Sequence, residues 1–461
     1  MTAPHAEPGS FRDPGGRIFL KDSRILRAVM PVSADAYVAV RDAGLFDDFA
    51  ERRLLLGSRE VDPAVLDGLE PQPAYVLEHP RIPFISYPYE WSFSLHRSAA
   101  LHQLDLHLQA LERGFTLSDA TAYNVQFVGS RPVFIDHLSL RPYRDGEYWI
   151  GHRQFCEQFL NPLLMWSLLK VAPNAWFRGS LEGIPPEDLA PLLPWRQKLS
   201  FTVMSHVVAQ AALQNRSIKS GGSAAPTASL PLAGFKAMLT GLRDYVAGLK
   251  PPTKATVWGD YATHNSYAAV EAQAKRAFVG EAVAAAKPTL MFDLGCNTGD
   301  YSDVALEAGA QYVVGFDYDH GALEQAYHRF HKASKPFLPL WLDAANPSPA
   351  QGWAQQERKG LAERASGDFL VALAFIHHIV IGRNVPMGMA LDWLIGMAPR
   401  GVIEFPPKED PMVQRLLSTR EDIFPDYTVP AFLAALGARA RVERTERLAE
   451  NGRLLALYNR T

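Results

Sequence analysis

The chain has 461 residues, of which 48% are hydrophobic and 21% charged, and its 46 Lys and Arg nearly balance 49 Asp and Glu. This length predicts two or three domains, because a single hydrophobic core rarely grows beyond roughly 250–300 residues. A formal net charge of −3 gives no electrostatic footprint for nucleic acid, so small molecules, glycans or proteins are the first partners to consider.

The number of cysteines and the length of the apolar runs indicate the cellular compartment in which the protein works. The only two cysteines are Cys156 and Cys296, which excludes a disulfide framework and fits a reducing compartment. Residues 1–16 are rich in Pro, Gly and Ala, which predicts a disordered N-terminus without a signal peptide. The most apolar run, 369–381, is interrupted by two histidines and is too short to cross a bilayer. We therefore expect a cytoplasmic protein without a membrane span.

Residues 17–214 predict an N-terminal α+β module. A helix is expected over 98–113, because leucines recur there every three or four residues and Gly114 follows. Two short strands, 124–128 and 132–136, then lie on either side of a turn, and residues 151–213 are typical of helices.

The segment 215–230 is small, polar and interrupted by Pro226, so it predicts a flexible linker. It would separate the N-terminal module from a C-terminal domain over 231–461.

The C-terminal domain alternates short apolar runs with helical patterns. The predicted strands are 289–294, 312–317, 337–343, 368–374 and 401–405, followed by a final hairpin of 439–445 and 453–460. The predicted helices are 299–308, 321–331 and 386–397. This order predicts an α/β fold with a doubly wound, mostly parallel, seven-stranded Rossmann-like sheet.

A glycine-rich turn follows the first of these strands and begins a helix. Gly295 and Gly299 let the backbone approach a ligand where a Cβ atom would collide, and the helix N-terminus offers unpaired N–H groups. Asp317 ends the next strand, where such folds hold ribose hydroxyls, and Asp343 ends the third. The glycines are spaced G-x-x-x-G, so the G-x-G-x-x-G fingerprint of NAD-binding domains is absent.

The ordered motifs DLGCNTG, FDYD, LD and ALAFIHHI resemble those of the class I S-adenosylmethionine (SAM)-dependent methyltransferases over about 200 residues. The resemblance implies SAM as cofactor, with a methionine pocket at the turn, the ribose at Asp317 and the adenine at Asp343. Asn297 departs from the commoner glycine of the motif, which leaves the conformation of the turn open. The cofactor-binding residues implied are Asp293, Gly295, Asn297, Gly299, Asp317 and Asp343.

Three candidate catalytic residues follow the fourth and fifth strands. His377 and His378 are candidate bases near neutral pH, although one could pack and the other cap a loop. Glu404 is a candidate for orienting the acceptor. The segment 258–261 either covers the cofactor or packs. The fourteen histidines show no cysteine or carboxylate at ligand spacing, so no metal cluster is expected.

Asp119, Asn124 and Asp136 resemble the catalytic-loop residues of protein kinases and aminoglycoside phosphotransferases. The resemblance implies a base and two Mg²⁺ ligands. The sequence departs from that pattern because the flanking His-Arg and Phe-Gly pairs are absent. Lys21 is a candidate for the lysine that those folds carry on an N-terminal strand. Three alternatives stay open: turn residues in an ordinary module, a degenerate kinase-like fold used for binding, or an active kinase.

The chain as a whole, including the segments 121–124 and 420–427, also resembles a group of bacterial two-module methyltransferases, some of which are named as nodulation proteins. The favoured function is methyl transfer from SAM to an unidentified acceptor, with the N-terminal module in acceptor selection. The alternatives are a bifunctional ATP-dependent phosphotransferase–methyltransferase and a non-catalytic SAM-binding scaffold.

Overall fold

The computed structural model describes residues 4–219, 229–252, 267–449 and 452–460. The segment 258–261, considered above as a cofactor cover, lies outside the described residues.

The chain divides into two compact units. The first consists of residues 1–253 with residues 351–358, and the second of residues 254–350 and 359–461. The predicted boundary at the 215–230 linker is therefore too early, because the helix that follows this linker belongs to the first unit.

The first unit begins with a five-stranded antiparallel sheet and two helices. Its elements are β1 (His5–Ala6), β2 (Gly16–Lys21), β3 (Arg24–Val29), α1 (Ala34–Asp42), α2 (Leu45–Glu51), β4 (Arg59–Val61) and β5 (Tyr75–His79). The strand order is β1-β2-β3-β5-β4. Leu26, Ala28 and Val76 lie in the core of this sheet. The expectation of a disordered 1–16 segment is wrong for residues 4–16, because β1 pairs with β2 and Pro8–Ser10 form a short 3-10 turn.

A long helix and two small strand pairs come next in the first unit. They are α3 (Phe93–Glu112), β6 (Phe115–Leu117), β7 (Val125–Val128), β8 (Arg131–Phe134) and β9 (Leu140–Pro142). Strand β6 pairs with β9, and β7 pairs with β8. The predicted helix is found, but it begins five residues earlier than its leucine pattern indicates; the predicted hairpin is also found.

The remainder of the first unit is helical. Its helices are α4 (His152–Phe155), α5 (Asn161–Leu164), α6 (Asn174–Gly179), α7 (Pro186–Leu192), α8 (Phe201–Val203), α9 (Ala209–Lys219) and α10 (Leu232–Gly248). Three π-helical turns are inserted among them: Cys156–Leu160, Met165–Leu169 and Met204–Val208. Helix α10 packs along α3, with Arg243 paired to Asp105, which explains why it belongs to this unit.

The second unit is a three-layer α/β domain. Its elements are α11 (Tyr267–Ala286), β10 (Met291–Leu294), α12 (Asp300–Glu307), β11 (Val313–Asp317), α13 (His320–Ala333), β12 (Phe337–Trp341), α14 (Leu361–Arg364), β13 (Phe369–Ala372), α15 (Ile376–Val380), α16 (Met387–Met397), β14 (Arg400–Phe405), α17 (Pro411–Leu417), α18 (Val429–Gly437), β15 (Arg441–Arg447) and β16 (Leu454–Asn459).

The seven strands of this unit have the order β12-β11-β10-β13-β14-β16-β15. The first five are parallel, and β16 pairs antiparallel with both β14 and β15. The strand order reverses between β10 and β13, and ligands of open α/β sheets bind in the crevice at the carboxyl ends of the strands at such a point.

The predicted sheet is thus confirmed as a mostly parallel seven-stranded one, with strand ends differing by one or two residues. Strand β12 ends at Trp341, so Asp343 lies in the loop that follows rather than in the strand. Within the part of the chain that is described, helices with the length and apolarity needed to cross a bilayer are not found.

Candidate functional site

The turn between β10 and α12 has three residues in the left-handed region of backbone conformation. Gly295 has φ +75°, Asn297 +50° and Gly299 +84°. Asparagine tolerates this region better than other side chains do, since its short polar group can hydrogen-bond locally. Asn297 therefore accepts the conformation that the commoner glycine would adopt, and the turn keeps its shape despite the departure from the motif.

Gly299 also lies against the core of the domain. A Cβ atom at this position would be 2.5 Å from the ring of Phe330 on α13, which is far inside van der Waals contact. Because φ is positive as well, both space and backbone require glycine here. The residue directly precedes α12, so its conformation sets where that helix begins.

Asp317, the last residue of β11, is held against the turn. Its Oδ2 accepts the N–H of Asn297 at 2.8 Å, and its Oδ1 accepts the N–H of Asp319 at 2.8 Å. Burial raises the pKa of this carboxyl, which the two backbone N–H groups partly offset. An ionised carboxylate has about four lone-pair positions, so each oxygen keeps capacity for a further donor.

Asp293 in β10 is buried beneath the turn and contacts α12. Its Oδ2 accepts the hydroxyl of Ser302 at 2.6 Å. Burial, together with the nearby charge of Asp317, raises the pKa of Asp293 to about 7. This carboxyl consequently titrates near neutral pH.

Asp343 lies past the end of β12, the strand next to β11. Its Oδ1 accepts the N–H of Ala345 at 3.1 Å, and an Arg383 nitrogen lies 3.9 Å from the same oxygen. The backbone N–H of Leu342 bonds to the carbonyl of Asp317 at 3.0 Å, which joins the two acidic strand ends. The six predicted cofactor residues thus lie at the carboxyl ends of three adjacent strands or in the loops that follow them.

His377 and His378 lie on the short helix α15, with their ring centroids 4.1 Å apart. His377 is 1% exposed, and neither ring nitrogen has a hydrogen-bond partner among the described residues. Burial, with the charges of His378, Arg453 and Lys275, lowers the pKa of His377 to about 2. His378 is half-buried, and its pKa is lowered by burial and by the charge of Arg453.

Glu404 in β14 is completely buried and contacts two cationic side chains. The sequence predicted neither its burial nor these two partners. Glu404 Oε1 lies 2.6 Å from Lys275 Nζ and 3.4 Å from Arg453, and its Oε2 accepts the N–H of Ala374 at 2.6 Å. These contacts engage both oxygens and tie the side chain to the turn before α15. A structural role for Glu404 therefore stands beside the predicted role in orienting an acceptor, which stays a prediction.

Lys275 and Arg453 were missed because no motif marks them. Lys275 is a largely buried cation on α11, but Arg276 follows it directly in the chain, so no feature of the sequence distinguishes the buried charge. Arg453 comes just before β16 and also binds Asp410 at 2.6 Å.

The first unit brings together the three residues that resembled a phosphotransferase loop. Asn124 Nδ2 donates to Asp119 Oδ1 at 3.2 Å and to Asp136 Oδ2 at 3.3 Å. Asp136 also binds Arg27 of β3 at 2.9 Å. Lys21 lies in β2, and its Nζ donates to the carbonyl of Val65, whereas Arg27 is the cation that binds Asp136.

The carboxylates of this cluster influence one another. Burial, and then the charge of Asp136, raises the pKa of Asp119 to about 6. Asp13 was missed by the sequence reading; burial raises its pKa, and its neighbours include Asp136 and Arg27. The kinase-like character of the first unit stays a prediction.

A third cluster corrects the expectation that no histidine has a cysteine at ligand spacing. His152 Nε2, Cys156 Sγ and His206 Nδ1 all lie within 4.8 Å of one another in the first unit. The sequence contained one signal, a His-x-x-x-Cys spacing over 152–156, whereas His206 is distant in the chain.

The second unit belongs to the class of doubly wound α/β domains, with a glycine-rich turn and acidic residues at the carboxyl ends of adjacent strands. No family model matches the chain. It is 45% identical over 459 residues, covering 98% of this chain and 96% of the relative, to "Nodulation protein NoeA" from Rhizobium meliloti (strain 1021). The chain therefore belongs to the family of nodulation protein NoeA. The predicted resemblance to proteins named for nodulation is confirmed.

Two solved structures of methyltransferases are similar to part of this chain. The methyltransferase domain of bacterial CtHen1 is 16% identical, covering 41% of this chain and 97% of that chain, with a TM-score of 0.30. N-methyltransferase NodS from Bradyrhizobium japonicum WM9 in complex with S-adenosyl-L-homocysteine is 12% identical, covering 45% of this chain and 93% of that chain, with a TM-score of 0.33.

Proposed function

We propose that the second unit is a SAM-dependent methyltransferase domain acting on an acceptor that is a small molecule, a glycan or a protein. One observation carries the proposal. The Asp317 carboxylate is fixed by the N–H of Asn297 in a left-handed, glycine-flanked turn and by the N–H of Asp319. An acidic strand end oriented against such a turn is how this fold class binds the ribose of an adenosine ligand.

The residues present fit SAM. The ribose hydroxyls would donate to Asp317, the adenine amine to Asp343, and the methionine part would lie beside the turn at Gly295 and Gly299. The buried carboxyl of Asp293 supports this turn from below through Ser302. SAM supplies an electrophilic methyl group on a sulfonium, so the protein's main task is to align the acceptor, which is worth about 7–11 kcal/mol of the barrier.

We assign the role of base to His378 rather than to His377. A general base works best when its pKa lies near the working pH. His377 has a pKa of about 2 and is buried, which leaves it a neutral packing residue. His378 is half-buried and so retains access to an acceptor at the carboxyl end of β13.

The test of the cofactor is a calorimetric titration of S-adenosylhomocysteine into the full-length protein. We expect one site per chain and a Kd raised about 30-fold by Asp317→Ala, since the loss of ribose hydrogen bonds to a charged acceptor costs about 2 kcal/mol. The matched control is Asp392→Ala, which removes an exposed aspartate from α16 and should leave the Kd unchanged. No heat with folded wild-type protein, or an unchanged Kd in folded Asp317→Ala, would refute the site.

A non-catalytic SAM-binding scaffold is distinguished by a second experiment. Full-length protein is incubated with SAM carrying a radioactive methyl group and with fractionated cell extract. A labelled product that is missing with His378→Ala supports methyl transfer. Cofactor binding without labelled product in any fraction supports the scaffold.

The second candidate function is a phosphotransferase activity, with the first unit as a kinase-like module. It is favoured by Asn124, which donates to both Asp119 and Asp136, the arrangement implied by the resemblance to phosphotransferase loops. These residues would hold Mg²⁺-ATP. The pairing of Arg27 with Asp136 instead favours a binding module that selects the methyl acceptor.

Titration with ATP and Mg²⁺ separates these alternatives. Phosphotransfer requires ATP binding that is lost in Asp136→Ala and kept in Asp145→Ala, a change at an exposed loop aspartate. The absence of binding at millimolar ATP would exclude phosphotransfer. In that case, once an acceptor is known, Asp136→Ala should raise the KM for the acceptor and leave the KM for SAM unchanged.

A further inference from the structure

We propose that the first unit binds one transition-metal ion of the zinc class between His152, Cys156 and His206. The three potential ligand atoms already converge. His152 Nε2 lies 2.8 Å from His206 Nδ1 and 3.8 Å from Cys156 Sγ, and all three atoms lie within 4.8 Å of one another. This site is separate from the methyltransferase proposal and does not depend on it.

The distances are close to those of a tetrahedral site. Zinc bonds of about 2.0–2.1 Å to nitrogen and about 2.3 Å to sulfur place two nitrogens about 3.3 Å apart and a nitrogen and a sulfur about 3.6 Å apart. The His152–Cys156 separation of 3.8 Å agrees with the second value. The two imidazole nitrogens need to separate by about half an ångström, and the ligand atoms of His206 and Cys156, which lie within 4.8 Å of each other, need to reach about 3.6 Å.

Helix geometry explains how the ligands meet. His152 begins α4, and Cys156 begins the π-helical turn that continues it, so the two side chains are four residues apart on one helical face. His206 lies in another π-helical turn, Met204–Val208. Such turns are rare and concentrate at functional sites.

A second observation comes from Gln210 on α9. Its Nε2 donates to His152 Nδ1 at 2.8 Å and lies 3.8 Å from Cys156 Sγ, while its buried Oε1 has no hydrogen-bond partner among the described residues. The amide can be turned over, because its two ends are nearly the same shape. Oε1 then accepts a hydrogen bond from the N–H of His152 Nδ1, and His152 Nε2 is free to bind the metal. An amide carbonyl that fixes the tautomer in this way is typical of histidine ligands.

The chemistry of the ligands selects the ion. One thiolate with two imidazoles suits zinc, whereas magnesium and calcium prefer oxygen ligands. Cys156 is fully buried, so it is not placed as an exposed nucleophile. On binding, the Cys156 thiol gives its proton to solvent, both histidines stay neutral, and a water molecule completes the tetrahedron.

The ion would have a structural role in the phosphotransferase-like loop. The helix that carries His152 and Cys156 also holds that loop through two glutamines. Gln154 Oε1 accepts the N–H of Ala120 at 2.8 Å, and Gln158 Oε1 accepts the N–H of Ala122 at 2.8 Å. A metal that fastens this helix to His206 therefore stiffens the backbone between Asp119 and Asn124.

The test is the metal content of untagged full-length protein, measured by inductively coupled plasma mass spectrometry after expression with added zinc. We expect about one zinc per chain in the wild-type protein. The zinc content should fall about tenfold or more in Cys156→Ala and in His206→Ala. The ligand-for-ligand change His206→Cys should retain the metal. Gln210→Ala should weaken affinity by about 10- to 100-fold. His328→Ala, which removes an exposed histidine on α13, is the control and should leave the zinc content unchanged.

A spectroscopic measurement does not depend on the folding of any variant. Wild-type protein reconstituted with Co²⁺ should show a thiolate-to-cobalt charge-transfer band and the intense visible bands of a tetrahedral ion. Metal-free wild-type protein, zinc retained by folded Cys156→Ala, or a cobalt spectrum without the charge-transfer band would each overturn the proposal.

Discussion

Replacing Glu404 by glutamine tests whether this buried carboxylate is structural. The side chain is completely buried, and its charge is shared by Lys275 at 2.6 Å and Arg453 at 3.4 Å. Glutamine keeps the size and an oxygen for the N–H of Ala374 but removes the charge. Arg453 still has Asp410, whereas Lys275 loses its carboxylate partner in a site that is only 9% exposed.

The expected cost follows from that imbalance. Breaking a buried ion pair by removing one partner destabilises a protein by about 3–5 kcal/mol, because the remaining charge is buried and uncompensated. For a unit of about 200 residues, 1 kcal/mol lowers Tm by about 2–4 °C. Glu404→Gln should therefore lower the melting temperature of the second unit by roughly 6–20 °C.

The assay is differential scanning calorimetry of the full chain, with hydrogen exchange in β13 and β14 to assign the transition. Adding Lys275→Met to Glu404→Gln should recover much of the loss, since no unpaired charge remains. Asp392→Asn is the control, because it breaks an exposed pair with Arg439 and should leave the melting temperature nearly unchanged. A Glu404→Gln protein as stable as this control would refute the structural role and leave Glu404 as a candidate acceptor-orienting residue.

Three further predictions concern the second unit. Burial raises the folded pKa of Asp293 to about 7. The protonated carboxyl therefore contributes about 4 kcal/mol to the free energy of unfolding below pH ~4, and this contribution is lost as the pH rises to ~7. In Asp293→Asn, the free energy of unfolding measured with urea should change much less over this pH range. Because Asn297 has φ +50°, Asn297→Gly should be nearly neutral in thermal unfolding and Asn297→Ala should cost about 1 kcal/mol; equal effects would contradict the backbone argument. His378→Ala should slow methyl transfer about 10²- to 10⁴-fold without changing S-adenosylhomocysteine affinity, whereas weakened binding would show a structural role.

Local features of the sequence predicted much of the second unit. Six of the seven strands are short, largely apolar runs, and all seven were predicted within two residues of their ends, as were α12, α13 and α16. The other helices of the unit, α11, α14, α15, α17 and α18, were not predicted. The glycine-rich turn and Asp317 were recognised because the turn depends on backbone conformations that the local sequence prescribes. The parallel order then brings the acidic strand ends to one edge of the sheet.

The tertiary structure alone decided which charges and ligands meet. Glu404 was predicted to face an acceptor, but Lys275, more than a hundred residues earlier in the chain, neutralises it in the core. Packing of the chain also brings Arg27 to Asp136, and it brings His206 to His152 and Cys156. Such contacts join residues far apart in the chain and depend on packing, which a local pattern does not encode. The sequence by itself therefore determined the elements and the turn that forms the proposed cofactor site, whereas the three-dimensional fold determined the buried ion pairs and the candidate metal site.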